Sequence, residues 1–502
     1  MKQANYFMGI DLGTQSVRVV VADMSGNVVV SDEQAYETLY PQAGWAEQRP
    51  ADWWRCLNTA VANVTDKLSI GLRYSISAIS VCATSPTIIP VDENGEALTN
   101  AIMWMDNRAV KETELVNATH HPILDYCGGE DSVEWTIPKM LWIKNNQPEI
   151  YQKSYKIIEQ LDYINHKLCG KFTNSVCQAA CKAHYVACEG GWSDDFFNQA
   201  GLEDYKDKMI LDVTRVGDVL GTINKDFAEK YDLNPEMLVV QGGIDAHIGM
   251  LGLGVDRAGK MAMIMGTSFV QLCFSEQKLQ LDGLWGPYDA PIIPDAWLLE
   301  GGQTSAGSIV KWYMREFGVD KMDNPYAYMN EQIEGIAPGA DGLVALDFFQ
   351  GNRTPYKDAN AKGGIYGLTL SPTKAPSYGA RLESVAFGTK NIIDSFEQNG
   401  SPVNTIVGCG GVTKDKVWMQ IISDVTGKPI VVTEDAGASA LGCAIVASVG
   451  SKAYTNFEDA TRGMVKEAYV VEPNPETHAV YEGIFEKYVE IYHQLKGTMA
   501  GA

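Results

Sequence analysis

Two short turns in this chain carry the residue types that hold phosphate. One is Asp11-Leu12-Gly13-Thr14-Gln15-Ser16 and the other is Met265-Gly266-Thr267-Ser268. In each, glycine lets the backbone bend and admits close approach of an oxygen-rich ligand. Successive N–H groups in such a turn converge on one space and form an anion site, to which the Thr and Ser hydroxyls add donors. Either turn alone also reads as a glycine hairpin without a ligand. As a matched pair, half a chain apart, they point to a polyphosphate held by both. Asp11 would repel phosphate unless a cation intervened. Mg²⁺, a hard ion that takes oxygen ligands and retains waters, is the expected mediator, which makes Asp11 the candidate metal ligand.

Two further glycine segments stand out. Val407-Gly408-Cys409-Gly410-Gly411-Val412 follows an apolar strand and leaves room for a flat adenine and its ribose against bare backbone. Gly242-Gly243-Ile244-Asp245 places a carboxylate in a glycine turn, where it can approach a ligand or simply cap a helix starting near Ala246. No G-x-x-x-x-G-K-[ST] occurs, which excludes a P-loop, and no strand-linked G-x-G-x-x-G opens a dinucleotide-binding unit.

The elements that position these residues are legible as apolar runs. Tyr6–Asp23 reads as strand, Gly-Thr turn, strand, and Lys260–Leu272 repeats that order. Self-similarity at half the chain length predicts two domains of one architecture, 1–254 and 255–502, with the boundary in the Gly-rich stretch from Gly252 to Gly259. Ile76–Ala83 and Thr405–Cys409 read as further strands. Helical patterns cover Ile137–Asn145, Ile158–Leu168, Thr173–Tyr185, Ser305–Phe317, Pro376–Glu397 and Lys414–Thr426. Strands alternating with helices predict an α/β fold.

Composition narrows the function classes. The 502 residues carry a formal net charge of -23, with 45% hydrophobic and 21% charged residues. This is the balance of a globular protein, and an acidic surface repels nucleic acid. No apolar run is long enough to span a bilayer, and the start, Met1 to Met8, lacks the shape of a signal peptide. Ten cysteines are scattered, several within apolar runs. They read as reduced thiols of a cytoplasmic protein. Cys177 and Cys181 share one helix face and could be grouped with Cys169 and Cys188 as a zinc set. No paired C-x-x-C exists, so buried thiols are the preferred reading.

Taken together, Gly9-Ile10-Asp11-Leu12-Gly13-Thr14, Gly242-Gly243-Ile244-Asp245-Ala246-His247, Met265-Gly266-Thr267-Ser268, Glu300-Gly301-Gly302-Gln303, Gly364-Ile365-Tyr366-Gly367-Leu368 and Gly408-Cys409-Gly410-Gly411 resemble, in order, the FGGY carbohydrate kinases of the actin/hexokinase/Hsp70-like ATPase superfamily. The resemblance spans essentially the whole chain. It implies two ribonuclease H-like domains with the active site in the cleft between them, sugar and catalytic base on the first and nucleotide on the second. Trp104-Met105-Asp106-Asn107-Arg108-Ala109, Ser132-Val133-Glu134-Trp135 with Pro138-Lys139, Ser175 to Lys182 and Gly351-Asn352-Arg353-Thr354-Pro355 are similar to the ribulokinase-like branch. That branch often has His where this chain has Asn107, a departure that bears on which sugar is taken.

The resemblance implies ATP-dependent phosphorylation of a terminal hydroxyl, with ATP and Mg²⁺ and with Asp245 as general base. It places Thr14, Gln15, Gly266 and Thr267 at the phosphates. Gly307 and Lys311 approach the nucleotide, and Gly410, Gly411 and Asp415 lie on the adenosine side, Asp415 standing where some relatives have Asn. Ser85, Trp104, Asp106, Glu134 and Asp162 join Asp245 as candidates for the sugar, an aromatic wall with carboxylates that suits hydroxyls; Trp104 and Glu134 read equally as core or cap residues. A pentulose such as D-ribulose is the first expectation, with L-ribulose, a polyol such as ribitol or erythritol, or a non-catalytic ATP-binding role as alternatives. A homodimer is left open.

Overall fold

A computed structural model describes residues 5–280, 283–371, 374–434 and 437–500. The chain forms two compact units. The first comprises 1–256 with 286–298 and 435–466; the second comprises 257–285, 299–434 and 467–502. Two later segments of the chain thus return to the first unit.

In the first unit, β1 (Tyr6–Leu12), β2 (Ser16–Asp23), β3 (Val28–Ala35), β4 (Ile76–Ala83), β5 (Val219–Thr222) and β6 (Leu238–Val240) form one sheet in the order β5-β6-β4-β1-β2-β3. β1 runs antiparallel to β2 and parallel to β4, and β4 runs parallel to β6. β1 is a near-continuous apolar run because both of its faces are covered. In the second unit the same order recurs. β7 (Gly259–Met265) and β8 (Phe269–Ser275) pair antiparallel, and β9 (Trp297–Gln303) flanks β8. β10 (Val403–Cys409) and β11 (Ile430–Thr433) continue parallel on the other side of β7, and β12 (Glu467–Val471) closes antiparallel. Each half therefore has an antiparallel pair, two parallel strands and an antiparallel edge.

Helices in both units follow the sequence pattern with informative shifts. The expected helix over Ile158–Leu168 starts later: Lys156–Glu159 is a strand paired with Ile88–Val91, and α1 is Gln160–Cys169. The β-branched pair Ile157-Ile158 favours the strand, and a capping box of Glu159 and Asp162 fixes the start of α1. The expected Thr173–Tyr185 helix shortens to α2 (Val176–Lys182), capped by the Ser175 hydroxyl. α3 (Asp245–Gly252) follows β6, α4 (Gly307–Glu316) follows β9, and α5 (Lys416–Thr426) is capped by Asp415.

α6 (Ala438–Gly450) belongs to the first unit and is apolar nearly all round, as a fully covered helix must be. Its small residues let backbones meet. A Cβ on Gly9 would stand 2.0 Å from the carbonyl oxygen of Ala440. One on Gly442 would stand 2.1 Å from that of Ile248, and one on Gly252 1.8 Å from that of Ala438. β1 and α3, which carry Asp11 and Asp245, are thereby clamped to the same helix.

Candidate active site

Asp11 occupies the end of β1, opposite Arg18 across the hairpin and opposite Cys82 on β4. The Cys82 thiol donates to its Oδ1 at 3.5 Å. Burial pushes the Asp11 carboxyl up to about 6, against the pull of the Cys82 hydrogen bond and the Arg18 charge. The following turn is closed by Gly13 N–H to the Ser16 carbonyl, 2.9 Å, and braced by the Tyr36 hydroxyl on the Gly13 carbonyl, 2.5 Å. Gln15 is exposed at the turn. The Thr14 hydroxyl accepts from Trp104 Nε1 at 3.1 Å, and its carbonyl accepts from Gln48 at 2.7 Å.

Asp245 is the first residue of α3, where the free N–H groups of a helix start favour an anion. Its Oδ1 accepts from Ala246 N–H at 2.7 Å. Burial raises its carboxyl from 3.8 to about 7, and the negative charge of Asp11 adds to the rise. A carboxylate held near neutrality beside a second carboxylate is suited to taking a proton at physiological pH. Beyond it on α3 lies His247, whose Nδ1 is 3.4 Å from Cys177 Sγ and 3.7 Å from Cys181 Sγ. Cys169 and Cys188 have other partners, the Asn165 carbonyl and the Tyr126 hydroxyl, and do not join this group.

The residues expected around the sugar separate into two sets. Ser85, on a cis Ser85–Pro86 bond, donates to Glu159 Oε2 at 2.6 Å. Trp104 and Glu134 are half-buried, which leaves each a free face. Asp106 and Asp162 lie in the interior. Asp106 is fully buried, and both of its oxygens are taken by Arg108 and the backbone N–H of Ala46 and Arg108. Arg108 in turn stacks 3.8 Å from the Trp45 ring centroid, so Asp106 builds the loop from within. Asp162 is 1% exposed and its Oδ2 accepts from Glu159 N–H at 3.0 Å, a capping contact that faces the interior. Burial, with Glu159 close by, holds its carboxyl well above the usual range.

Two further buried groups support these loops, Glu159, which no motif marks, and Lys139, whose motif does not reveal its contacts. Glu159 accepts from Ser85, Gln178 and Thr136. Burial lifts it to about 7, opposed by those hydrogen bonds and by the charge of Lys139. Lys139, 0% exposed, reaches the carbonyl oxygens of Pro86, Met103 and Trp104 at 3.0, 2.6 and 3.2 Å. Burial pulls its amine down to about 7. Three acceptors nevertheless call for the three N–H groups of the ammonium form. Lys139 thus ties the loop after Ser85 to the loop of Trp104. Nearby, Lys182 lies over the rings of Trp135 and Tyr288, 5.3 and 5.8 Å from their centroids.

In the second unit, Gly266 N–H closes its turn on the Ser268 carbonyl at 3.0 Å, a turn one residue shorter than that at Gly13. The start of α4 packs on that turn: Gly307 N–H donates to the Gly266 carbonyl, and Ala306 and Ser308 donate to the Thr267 carbonyl, each at 3.1 Å. A Cβ on Gly307 would stand 2.4 Å from the Gly266 carbonyl oxygen, so glycine is required there. Lys311 projects from α4 as an exposed side chain. Gly410 has φ +102 and sits against the Met265 carbonyl, while Gly411 faces open space. Asp415 caps α5 through Trp418 N–H and accepts from Asn330 at 2.9 Å. With Asn330, Pro338, Gly379, Lys414 and Val417 it lines a cavity of about 670 Å³.

Comparison with known proteins identifies the architecture. Residues 6–252 match the N-terminal domain of the FGGY family of carbohydrate kinases, and residues 261–451 match its C-terminal domain. An FGGY carbohydrate kinase domain-containing protein of Xenopus laevis is 32% identical over 537 residues, covering 99% of this chain and 98% of that protein. A ribulokinase of Halalkalibacterium halodurans is 31% identical, covering 97% and 94%. The crystal structure of a xylulose kinase from Rhodospirillum rubrum superposes with a TM-score of 0.90 at 23% identity, covering 99% and 100%. The fold is mixed α/β of the two-domain ribonuclease H-like type. The chain belongs to the FGGY family of carbohydrate kinases and is accordingly an ATP-dependent carbohydrate kinase.

Proposed function

We propose that this kinase transfers the γ-phosphoryl group of ATP to a terminal hydroxyl of a pentulose, D-ribulose being the first candidate, with Asp245 as general base. The observation that carries the reading is the Asp245 carboxyl at the start of α3, raised to about 7 beside Asp11. Phosphoryl transfer asks the protein mainly for positioning and charge neutralisation, with a base for the hydroxyl proton. In this reading Asp245 Oδ takes that proton. Trp104, held by Thr14, offers a ring face to the carbon side of the sugar. Ser85 and Glu134 offer polar contacts, and Glu159 and Lys139 hold the loops that carry Ser85 and Trp104. The exposed Asn107, whose N–H is bound to the Gly44 carbonyl at 2.8 Å, belongs to the same loop and bears on sugar choice.

The first unit is assigned the sugar and the base, and the second the nucleotide. Thr14, Gln15, Gly266 and Thr267 are assigned to the phosphates, with Gly307 and Lys311 beside them. Gly410, Gly411 and Asp415 are assigned to the adenosine, and the cavity beside Asp415 has room for a base. Mg²⁺ fits Asp11: the carboxylate is an oxygen donor raised by burial, with a single weak thiol contact on Oδ1. Such an ion would neutralise phosphate charge during transfer. The ten free cysteines accord with a cytoplasmic location, and among the described residues no helix is long and apolar enough to cross a membrane.

A coupled assay of ATP consumption across pentuloses, pentitols and tetritols tests the proposal, with Asp245→Asn as the control. Highest kcat/KM on a pentulose supports it. Highest kcat/KM on ribitol or erythritol replaces the pentulose with a polyol. Failure of every acceptor to stimulate ATP use would leave the protein a nucleotide-binding module.

A further inference from the structure

We propose that Cys177, Cys181 and His247 form a buried Zn²⁺ site that pins the helix bearing Asp245. The two thiols lie four residues apart on α2, which puts them on one helix face. His247 enters from the first turn of α3, two residues after Asp245. The three ligand atoms lie within 4.8 Å of one another, and all three residues are buried, at 0, 0 and 2% exposure. Tetrahedral zinc with Zn–S of about 2.3 Å and Zn–N of about 2.0–2.1 Å requires S···N separations of about 3.6 Å. The observed separations are 3.4 and 3.7 Å.

The surrounding chain is shaped to this contact. A Cβ on Gly243 would stand 2.8 Å from Cys177 Cβ and 2.9 Å from its Sγ, so the segment leading into Asp245 is pressed onto the thiol. Two thiolates and an imidazole select zinc and reject Mg²⁺, which keeps this site chemically apart from Asp11. Binding releases two thiol protons to solvent and leaves a fourth ligand position for water. The consequence for the kinase is positional. Metal–ligand bonds would tie the first turn of α3 to α2, fixing where Asp245 points. The spacing of the cysteines alone does not reveal this site, because the third ligand lies 66 residues beyond Cys181 in the chain.

The test is metal content, which does not depend on sugar identity or on the role of Asp245. The full chain is purified without a histidine tag and its zinc measured by plasma mass spectrometry. One zinc per chain, retained through gel filtration and released by a mercurial thiol reagent, is the expected result. The Cys177→Ser, Cys181→Ser double variant should lose it. If that variant does not fold, protein grown in cobalt medium supplies an independent reading, since bound Co²⁺ shows thiolate-to-cobalt charge-transfer absorption. Wild-type protein that holds no zinc after growth in zinc-supplemented medium and shows no cobalt–thiolate band would overturn the proposal. So would full zinc occupancy in the double variant.

Discussion

The indole N–H of Trp104 donates to the hydroxyl of Thr14 across 3.1 Å, joining the turn assigned to phosphate to the loop assigned to sugar by a single side-chain contact. The bond gives Trp104 a fixed ring plane and orients the Thr14 hydroxyl by making it an acceptor, which leaves its proton to be donated elsewhere.

Trp104→Phe removes the donor and keeps most of the ring. A hydrogen bond of this kind contributes about 0.5–1.5 kcal/mol, so a loss of roughly 2- to 10-fold in kcat/KM is expected. Thr14→Val should cost at least as much. The double variant should cost less than the two combined, because both changes delete the same contact. Strict additivity in steady-state kinetics would show that the bond plays no part in catalysis.

Asp245→Asn should lower kcat by about 10²–10⁴-fold while ATP binding, measured by calorimetry, is retained. In wild type the base must be ionised. The acid limb of kcat/KM should therefore rise tenfold per pH unit and level off near pH 7. Asp11→Asn removes the negative charge that helps raise Asp245, and the limb should move to lower pH even as the overall rate falls.

The same shift makes a stability statement. The folded value of Asp245 lies above its ordinary 3.8, so the native state binds the proton more tightly than the unfolded chain. This contribution favours folding below about pH 4, is lost progressively as pH rises to about 7, and is constant beyond. Asp245→Asn escapes the penalty. Urea unfolding should show the variant gaining on wild type between about pH 4 and pH 7 and no further above it.

Lys139→Met keeps the buried stem and removes the amine from three carbonyl oxygens. Stranding buried acceptors costs about 1–3 kcal/mol, which a lower urea midpoint would register. Because the carbonyls of Pro86, Met103 and Trp104 lose their common tie, KM for the sugar should rise more than KM for ATP.

Gly442→Ala would drive a Cβ to 2.1 Å from the Ile248 backbone, forcing α3 and α6 apart. Overpacking of this kind costs about 1–3 kcal/mol and should also depress kcat, since α3 carries Asp245. Gly497→Ala, in the C-terminal helix with nothing within 4 Å of the new methyl group, should be neutral or slightly stabilising. Equal thermal stability of the two variants would contradict the close packing of α6.

Local signals along the chain specify its strands and turns: the apolar runs of β1 and β7, the glycine bends at Gly13 and Gly266, and the half-chain repetition that both sheets display. They also identify the family, because the motifs are short and contiguous. They do not determine which polar side chains meet. Asp106 and Asp162 are sugar candidates in a linear reading, and the fold pairs Asp106 with Arg108 and sets one oxygen of Asp162 in the α1 cap. Glu159 carries no local mark, and Lys139 and His247 stand within motifs that do not say what they touch; each takes its character from partners that lie far away in the chain, such as Ser85, 74 residues from Glu159. Hydrophobic period and glycine freedom act within a few residues and are written in order along the chain. Desolvation and hydrogen bonding of a buried charge depend on what the fold packs around it, which no short stretch of chain specifies.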